Sequence, residues 1–255
     1  MDVAAAQSLL SEADPFPVEV LNNKSGSPVL LLCEHAGRNI PSSLNDLKLN
    51  EDVLTSHRAW DIGARNVALG ISEVLDAPLI LQRYSRLVID ANRPPNGTGS
   101  MPEISDGVTI PGNQGLTSMD KQSRIDEIFA PMDHAIEAGL TETVKACFSI
   151  HSFTPSMNGQ DRRWHAGFLS RHAKNTARAL MASVSRQQPA LELALNQPYQ
   201  IDDETDWFVP RHAETRGLPH CLIEIRNDQI DHAQGAKLWA GYLATAIAEF
   251  METLT

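Results

Sequence analysis

Three short apolar runs constrain this chain most: Pro28-Val29-Leu30-Leu31-Leu32-Cys33, Ala146-Cys147-Phe148-Ser149-Ile150 and Leu218-Pro219-His220-Cys221-Leu222-Ile223. None alternates apolar with polar residues, so each reads as a strand buried on both faces, the habit of parallel sheets covered by helices. Between them the period changes. From about Val53 to Leu75, the residues Trp60, Ala64, Val67, Ala68, Ile71, Val74 and Leu75 recur at helical spacing, with Asp76-Ala77-Pro78 as a stop. Further helices are expected over Asp120 to Lys145, His172 to Gln187, Val209 to Arg216 and Asp231 to Glu249, and further strands over Pro78 to Leu81, Arg86 to Asp90 and Ala166 to Leu169. Strands alternating with helices predict an α/β protein, a three-layer α/β/α fold around a mostly parallel mixed central sheet, because parallel neighbours need crossover connections.

Residues 1–16 are acidic and weakly patterned and are expected as an N-terminal mobile arm or short surface helix. No repeat, low-complexity tract or linker divides the remainder, which reads as one domain over residues 17–255. The segment Asn92 to Gly115 is rich in Pro, Gly, Asn and Ser and is expected as a long surface loop, either a cover for a site or an idle insertion.

A net charge of −11 and the lack of a dense basic run argue against nucleic acid as a partner, since a phosphate-backbone binder needs Lys and Arg. No apolar stretch approaches the roughly 20 residues that span a bilayer, and the N-terminus lacks a secretory pattern, so a cytoplasmic location away from membranes is expected. Cys33, Cys147 and Cys221 form no CxxC pair and sit among apolar neighbours, which suits small buried hydrophobes better than a catalytic thiol.

Ligands of open α/β sheets bind beyond the carboxyl ends of strands, and three apolar runs here end on ionisable residues: His35, His151 and Glu224. One strand-end histidine is ordinarily a hydrogen-bonded structural residue. Three such endings together point to a site. A catalytic zinc typically takes three His or carboxylate ligands and keeps a position for water, and Asp61, near the start of the Val53 to Leu75 helix, offers the third. The alternative for Asp61 is an early-turn helix acid favoured by the macrodipole.

The blocks Cys33-Glu34-His35-Ala36-Gly37, Ala59-Trp60-Asp61-Ile62-Gly63-Ala64, Ser85-Arg86-Leu87-Val88-Ile89-Asp90-Ala91-Asn92-Arg93-Pro94, Ile150-His151-Ser152-Phe153-Thr154-Pro155 and Ile223-Glu224-Ile225-Arg226-Asn227-Asp228, taken in order, resemble the N-formylglutamate amidohydrolase family over about residues 28–245. The resemblance implies a zinc-exopeptidase-like, phosphorylase/hydrolase-like fold, shared with zinc-dependent cell-wall amidases, and one Zn2+ or other divalent ion between strand ends. It places His35, Asp61 and His151 as metal ligands, with Glu34 as a competing carboxylate, and Glu224 as the general base that activates water.

It also implies a small N-acyl amino acid as substrate, N-formylglutamate being the model. Arginine suits such a carboxylate because its planar fork forms two hydrogen bonds. Arg86, Arg93 and Arg226 lie within the blocks, with Asn92 as a further polar contact; internal pairing with Asp90 or Asp228 is the alternative for the arginines. His212 either stabilises developing charge or is a structural helix histidine, and His57 is equally open. Ser152 lacks the GxSxG setting of a serine hydrolase nucleophile. Two competing functions share this fold: a zinc-dependent amidase for peptides or cell-wall amides, and a catalytically silent small-molecule binding protein.

Overall fold

The computed structural model describes residues 8–254. The strands are β1 (Val18–Leu21), β2 (Val29–Cys33), β3 (Leu79–Gln82), the ribbon β4 (Ile104–Ser105) and β5 (Val108–Thr109), β6 (Ala146–Phe153), the ribbon β7 (Ser156–Met157) and β8 (Gln160–Asp161), β9 (Ala166–Leu169), β10 (Leu193–Leu195) and β11 (His220–Arg226). Seven of them form one sheet in the order β1-β3-β2-β6-β11-β9-β10. The stretch β3-β2-β6-β11 is parallel throughout, whereas β1 and β9 run antiparallel to β3 and β11. Chain order reverses at β2, which is followed by β3 on one side and flanked by β6 on the other. That reversal opens a crevice at the carboxyl ends of β2 and β6.

The helices are α1 (Glu51–Leu54), α2 (Ala64–Leu75), α3 (Ser118–Arg124), α4 (Ala130–Gly139), α5 (Lys174–Gln187) and α6 (Ala233–Glu252). Because side chains alternate along a strand, unbroken apolar runs feed two cores at once. Leu31, Phe148 and Ile223 pack with α2, α5 and α6 on one face, while Leu30, Leu32, Cys147 and Leu222 meet Met132, Ile136, Phe208 and Val209 on the other. The three-layer α/β/α reading holds. All three cysteines are buried and free, and burial pushes their thiols up, Cys147 to about 12, which leaves them inert. No helix among the described residues is long and apolar enough to cross a membrane.

Four local expectations change. The expected helix from Val53 to Leu75 is two, α1 and α2, and Asp61 lies in the turn between them rather than on a helix. Leu87, Val88 and Ile89 form no strand; they turn, with Ser85 Oγ accepting from the Leu87 amide, and enter a third apolar cluster with Leu47, Tyr84, Ile110, Ile128 and Phe129. A short apolar run signals burial without specifying strand pairing. The Asn92 to Gly115 segment carries the β4–β5 ribbon and is stitched down by the buried Arg124, which donates to the carbonyls of Val88 and Gly112 and to Asn113 Oδ1. Finally, residues 1–7 lie outside the described residues, but residues 8–16 show turns and no helix. Glu127 accepts from Ser8 Oγ and from the amides of Leu9 and Leu10, and Leu9 is buried.

Candidate metal centre

β2 and β6 are hydrogen-bonded neighbours, so the residues at their carboxyl ends converge. His35 follows β2 by two positions and His151 lies in β6. Asp61 reaches them from the turn before α2: its amide donates to His35 O at 3.0 Å, and its Oδ2 accepts from the Ser152 amide at 3.1 Å. Gly63 makes that turn, with φ at 82° and no room for a side chain, since a Cβ there would stand 2.2 Å from Ile230 O.

Three donor atoms share one focus. His35 Nδ1 is 3.2 Å from His151 Nδ1, His151 Nδ1 is 3.0 Å from Asp61 Oδ2, and His35 Nδ1 is 3.5 Å from Asp61 Oδ2. Ligands about 2.0–2.1 Å from a tetrahedral ion stand roughly 3.3 Å apart, so these spacings fit one. A single shared proton joins two of the three atoms; a divalent cation satisfies them all. The cluster of His35, Asp61 and His151 is therefore able to coordinate a divalent metal.

Each imidazole has a carboxylate near its outer nitrogen: Asp90 is hydrogen-bonded to His35, whereas Glu34 stands within ion-pair distance of His151 Nε2, which makes no hydrogen bond. Asp90 Oδ1 lies 2.7 Å from His35 Nε2. Glu34 Oε2 lies 3.2 Å from His151 Nε2 and accepts from Ser149 Oγ at 2.5 Å. Of the two carboxylates left open by the sequence, Asp61 supplies the atom in the cluster and Glu34 backs His151. Burial alone would raise the carboxyl pKa values of Asp61, Asp90 and Glu34 and lower those of the two histidines. Opposite charges outweigh it throughout, holding the three carboxyls down and pushing both imidazoles up.

Glu224 stands directly opposite His151 in the β6–β11 register. It is buried, and its Oε2 has no hydrogen-bond partner. Burial, reinforced by the Asp61 charge and opposed by His151, lifts its carboxyl to about 7. A carboxyl titrating near neutrality is equipped to accept and return a proton.

These groups open into a cavity of about 650 Å3. Arg86, Asn92 and Arg93 line it together with His35, Asp61, His151 and Glu224. Arg86 is held between carboxylates, donating to Asp90 Oδ2 at 2.7 Å and to Asp61 Oδ1 at 3.3 Å. Arg93 approaches Asp90 through Nε at 3.4 Å. Asn92 Oδ1 accepts from the amides of Trp207 and Phe208, anchoring that segment beside the site.

Two candidates lie elsewhere. Arg226 is not among the lining residues; its Nε pairs with Asp228 and its Nη1 donates to the carbonyls of Arg162 and Arg163. His212 is fully buried against Asp133 Oδ1 at 2.6 Å, a structural helix histidine. His57 does line the cavity, where it and Arg58 hold Asp106 of the β4–β5 ribbon. Tyr199 and Asp206 line it as well, and no pattern in their irregular segment marks them.

The three-layer α/β fold and its buried His/Asp/His cluster are those of a metal-dependent hydrolase. Residues 27–230 match the model of the N-formylglutamate amidohydrolase family, and the chain belongs to that family. A crystal structure of a gene product from Agrobacterium tumefaciens is similar, with 34% identity and a TM-score of 0.91 over 96% of this chain and 99% of that one. An N-formylglutamate amidohydrolase from Ralstonia eutropha JMP134 shares the fold at 16% identity, with a TM-score of 0.74 over 94% of this chain and 100% of that one. No curated protein matches the chain.

Proposed function

We propose that the protein hydrolyses the amide bond of a small N-acyl amino acid such as N-formylglutamate, in the cytoplasm, with one zinc ion held by His35, Asp61 and His151. The observation that carries this reading is the convergence of His35 Nδ1, His151 Nδ1 and Asp61 Oδ2 within 3.0–3.5 Å of one another, with Glu224 on the adjoining strand. An ion held by His35, Asp61 and His151 would supply Lewis acidity for the amide carbonyl and lower the pKa of water towards neutrality. Glu224 takes a proton from the attacking water and passes it to the nitrogen as the C–N bond breaks, releasing a carboxylic acid and an amino acid. Asp90 orients the His35 ring, and Glu34 places its charge beside His151.

Arg93 takes the substrate carboxylate. It lines the cavity and is tethered to Asp90 through Nε, so the ends of its fork are suited to a bidentate partner. Arg86, committed to Asp61 and Asp90, balances their charge, and Asn92 lines the cavity with its Nδ2 donating to Asp206 Oδ1.

Metal analysis of protein purified without added zinc should find one divalent ion per chain, and an assay on N-formyl-L-glutamate and a panel of N-acyl amino acids should show turnover. Glu224→Gln should keep the metal and lower kcat by roughly 10²–10⁴. Protein that binds no divalent metal would sink the mechanism, and unchanged turnover in Glu224→Gln would remove the base.

A further inference from the structure

Across the sheet from Glu224 the chain omits a side chain. Gly167 of β9 stands directly opposite Glu224 in the β9–β11 register, and directly opposed residues present their side chains on one face. A Cβ at Gly167 would collide with Gln197 O, so the stretch after β10 lies in the space that a side chain would fill. That stretch is tied to β9 twice: the Asn196 amide donates to Phe168 O at 3.1 Å, and Asn196 Oδ1 accepts from the Ser170 amide at 2.9 Å. Tyr199, two residues beyond Gln197, thereby enters the cavity lining with Glu224.

The Tyr199 hydroxyl is held by its oxygen. It accepts from Arg162 Nη1 at 2.9 Å, and Arg162 is itself fixed, with Nη2 donating to Met157 Sδ at 2.8 Å and its guanidinium carbon 4.9 Å from the tyrosine ring centroid. A guanidinium donates and never accepts, so the phenolic proton is left for another partner, and no group among the described residues takes it. A cation bonded to the oxygen also makes that proton a stronger donor. Desolvation and the Glu224 charge push the hydroxyl pKa up, with Arg162 and Arg86 acting against them, so the proton stays in place at neutral pH. Glu224 and Arg86 are the groups beside the metal cluster, Arg86 through its bond to Asp61 Oδ1.

When water adds to an amide carbon, the carbonyl oxygen gains negative charge. A fixed donor aimed at that oxygen bonds more strongly in the transition state than to the neutral amide, which is what accelerates the step. We propose that the Tyr199 hydroxyl donates a hydrogen bond to the scissile carbonyl oxygen as it becomes charged, with Arg162 as the positioning residue that orients the hydroxyl. Tyr199 keeps its proton throughout; Glu224 remains the group that takes one from water and returns it to the nitrogen. This rests on the hydrolase reading above and adds a catalytic residue to it.

The test is Tyr199→Phe in the metal-loaded full chain, assayed on whichever N-acyl amino acid the panel turns over fastest. The change removes one oxygen from a ring that is 39% exposed, so metal content and melting temperature should stay as in the parent. Loss of one such donor costs roughly 10²–10³ in kcat, with KM expected within about threefold. Binding provides a second readout: an analogue with a tetrahedral phosphonate in place of the amide carbonyl should bind the variant at least about tenfold more weakly, while the product amino acid binds both proteins alike. Arg162→Gln should lower kcat about tenfold in the parent and add little in the Tyr199→Phe background, because it acts through the hydroxyl. A kcat for Tyr199→Phe within about twofold of the parent, or a raised KM with kcat unchanged, would overturn the inference and leave the hydrolase reading standing. No turnover of any panel member by the parent carrying its metal would remove both.

Discussion

The metal corner and the substrate walls face one cavity and are built on opposite terms. His35, Asp61 and His151 are each at most 3% exposed; the two histidines stand at the ends of paired strands beside the buried carboxylates Asp90 and Glu34, and Asp61 is fixed in its turn by the Ser152 amide and Arg86. Much of the wall comes from loops and ribbons. Arg86 and Arg93 have side chains 28% and 30% exposed, and Ile104 and Tyr199 are more open still. The difference separates chemistry from selectivity: a braced corner keeps one reaction, and loop-borne walls leave room to change what enters it.

The largest effect should come from cutting into the corner. His151→Ala removes a donor atom and leaves Glu34, whose side chain is fully buried, facing no cation. Metal content should fall well below one ion per chain and activity should drop by about 10³ or more. A full complement of metal in this variant would show that the corner does not work as a unit. Asp90→Asn comes next, because Asp90 touches both regions: Oδ1 backs His35, and Oδ2 pairs with Arg86 and Arg93. A ten- to hundredfold loss of metal affinity is expected, together with a raised KM measured at saturating metal. If only one of the two moved, Asp90 would belong to one region alone.

The same division decided what the sequence could disclose. His35, His151 and Glu224 were legible because an apolar strand has no packing reason to end in imidazole or carboxylate, and parallel neighbours bring their carboxyl ends together. Asp61 was legible as a residue and misplaced as an element. The signal that corrects it is Gly63, whose positive φ and contact with Ile230 break the helical period two residues later. The arginines show the limit. Arg93 and Arg226 sit in equally suggestive motifs, yet one lines the cavity and the other is spent on Asp228 and two carbonyls, a choice made by loop paths that no period encodes. Tyr199 had no signal at all, lying in an irregular stretch after β10.

That contrast between arginines gives a sharper test of the walls. Arg93→Ala should raise KM about 10–100-fold, the worth of a charge-assisted hydrogen bond, with kcat changed far less. Arg226→Ala should leave KM within about twofold and lower stability by about 1 kcal/mol through its lost carbonyl contacts. Similar KM values in the two variants would dissolve the distinction between a wall arginine and a structural one.

The smallest effect isolates the cost of keeping Glu224 buried beside the corner without metal. Burial lifts its carboxyl to about 7 in the fold from an ordinary 4.5, so it binds a proton more tightly folded than unfolded. Stability from this group is complete below about pH 4.5 and is lost as pH rises through about 7, a term on the order of 3 kcal/mol. Asp61, Asp90 and Glu34 run the other way, since their lowered pKa values make stability fall as pH drops through the acid range. Glu224→Gln cancels the first term and spares the rest. After chelation of metal, the variant and the parent should melt together near pH 4.5, and by pH 8 the variant should melt several degrees higher. With metal restored the gap should narrow, because a cation beside Glu224 stabilises its charged form. A constant gap across pH in the chelated protein would mean that Glu224 is already ionised in the fold, and that its readiness to exchange a proton comes from the metal rather than from its place on β11.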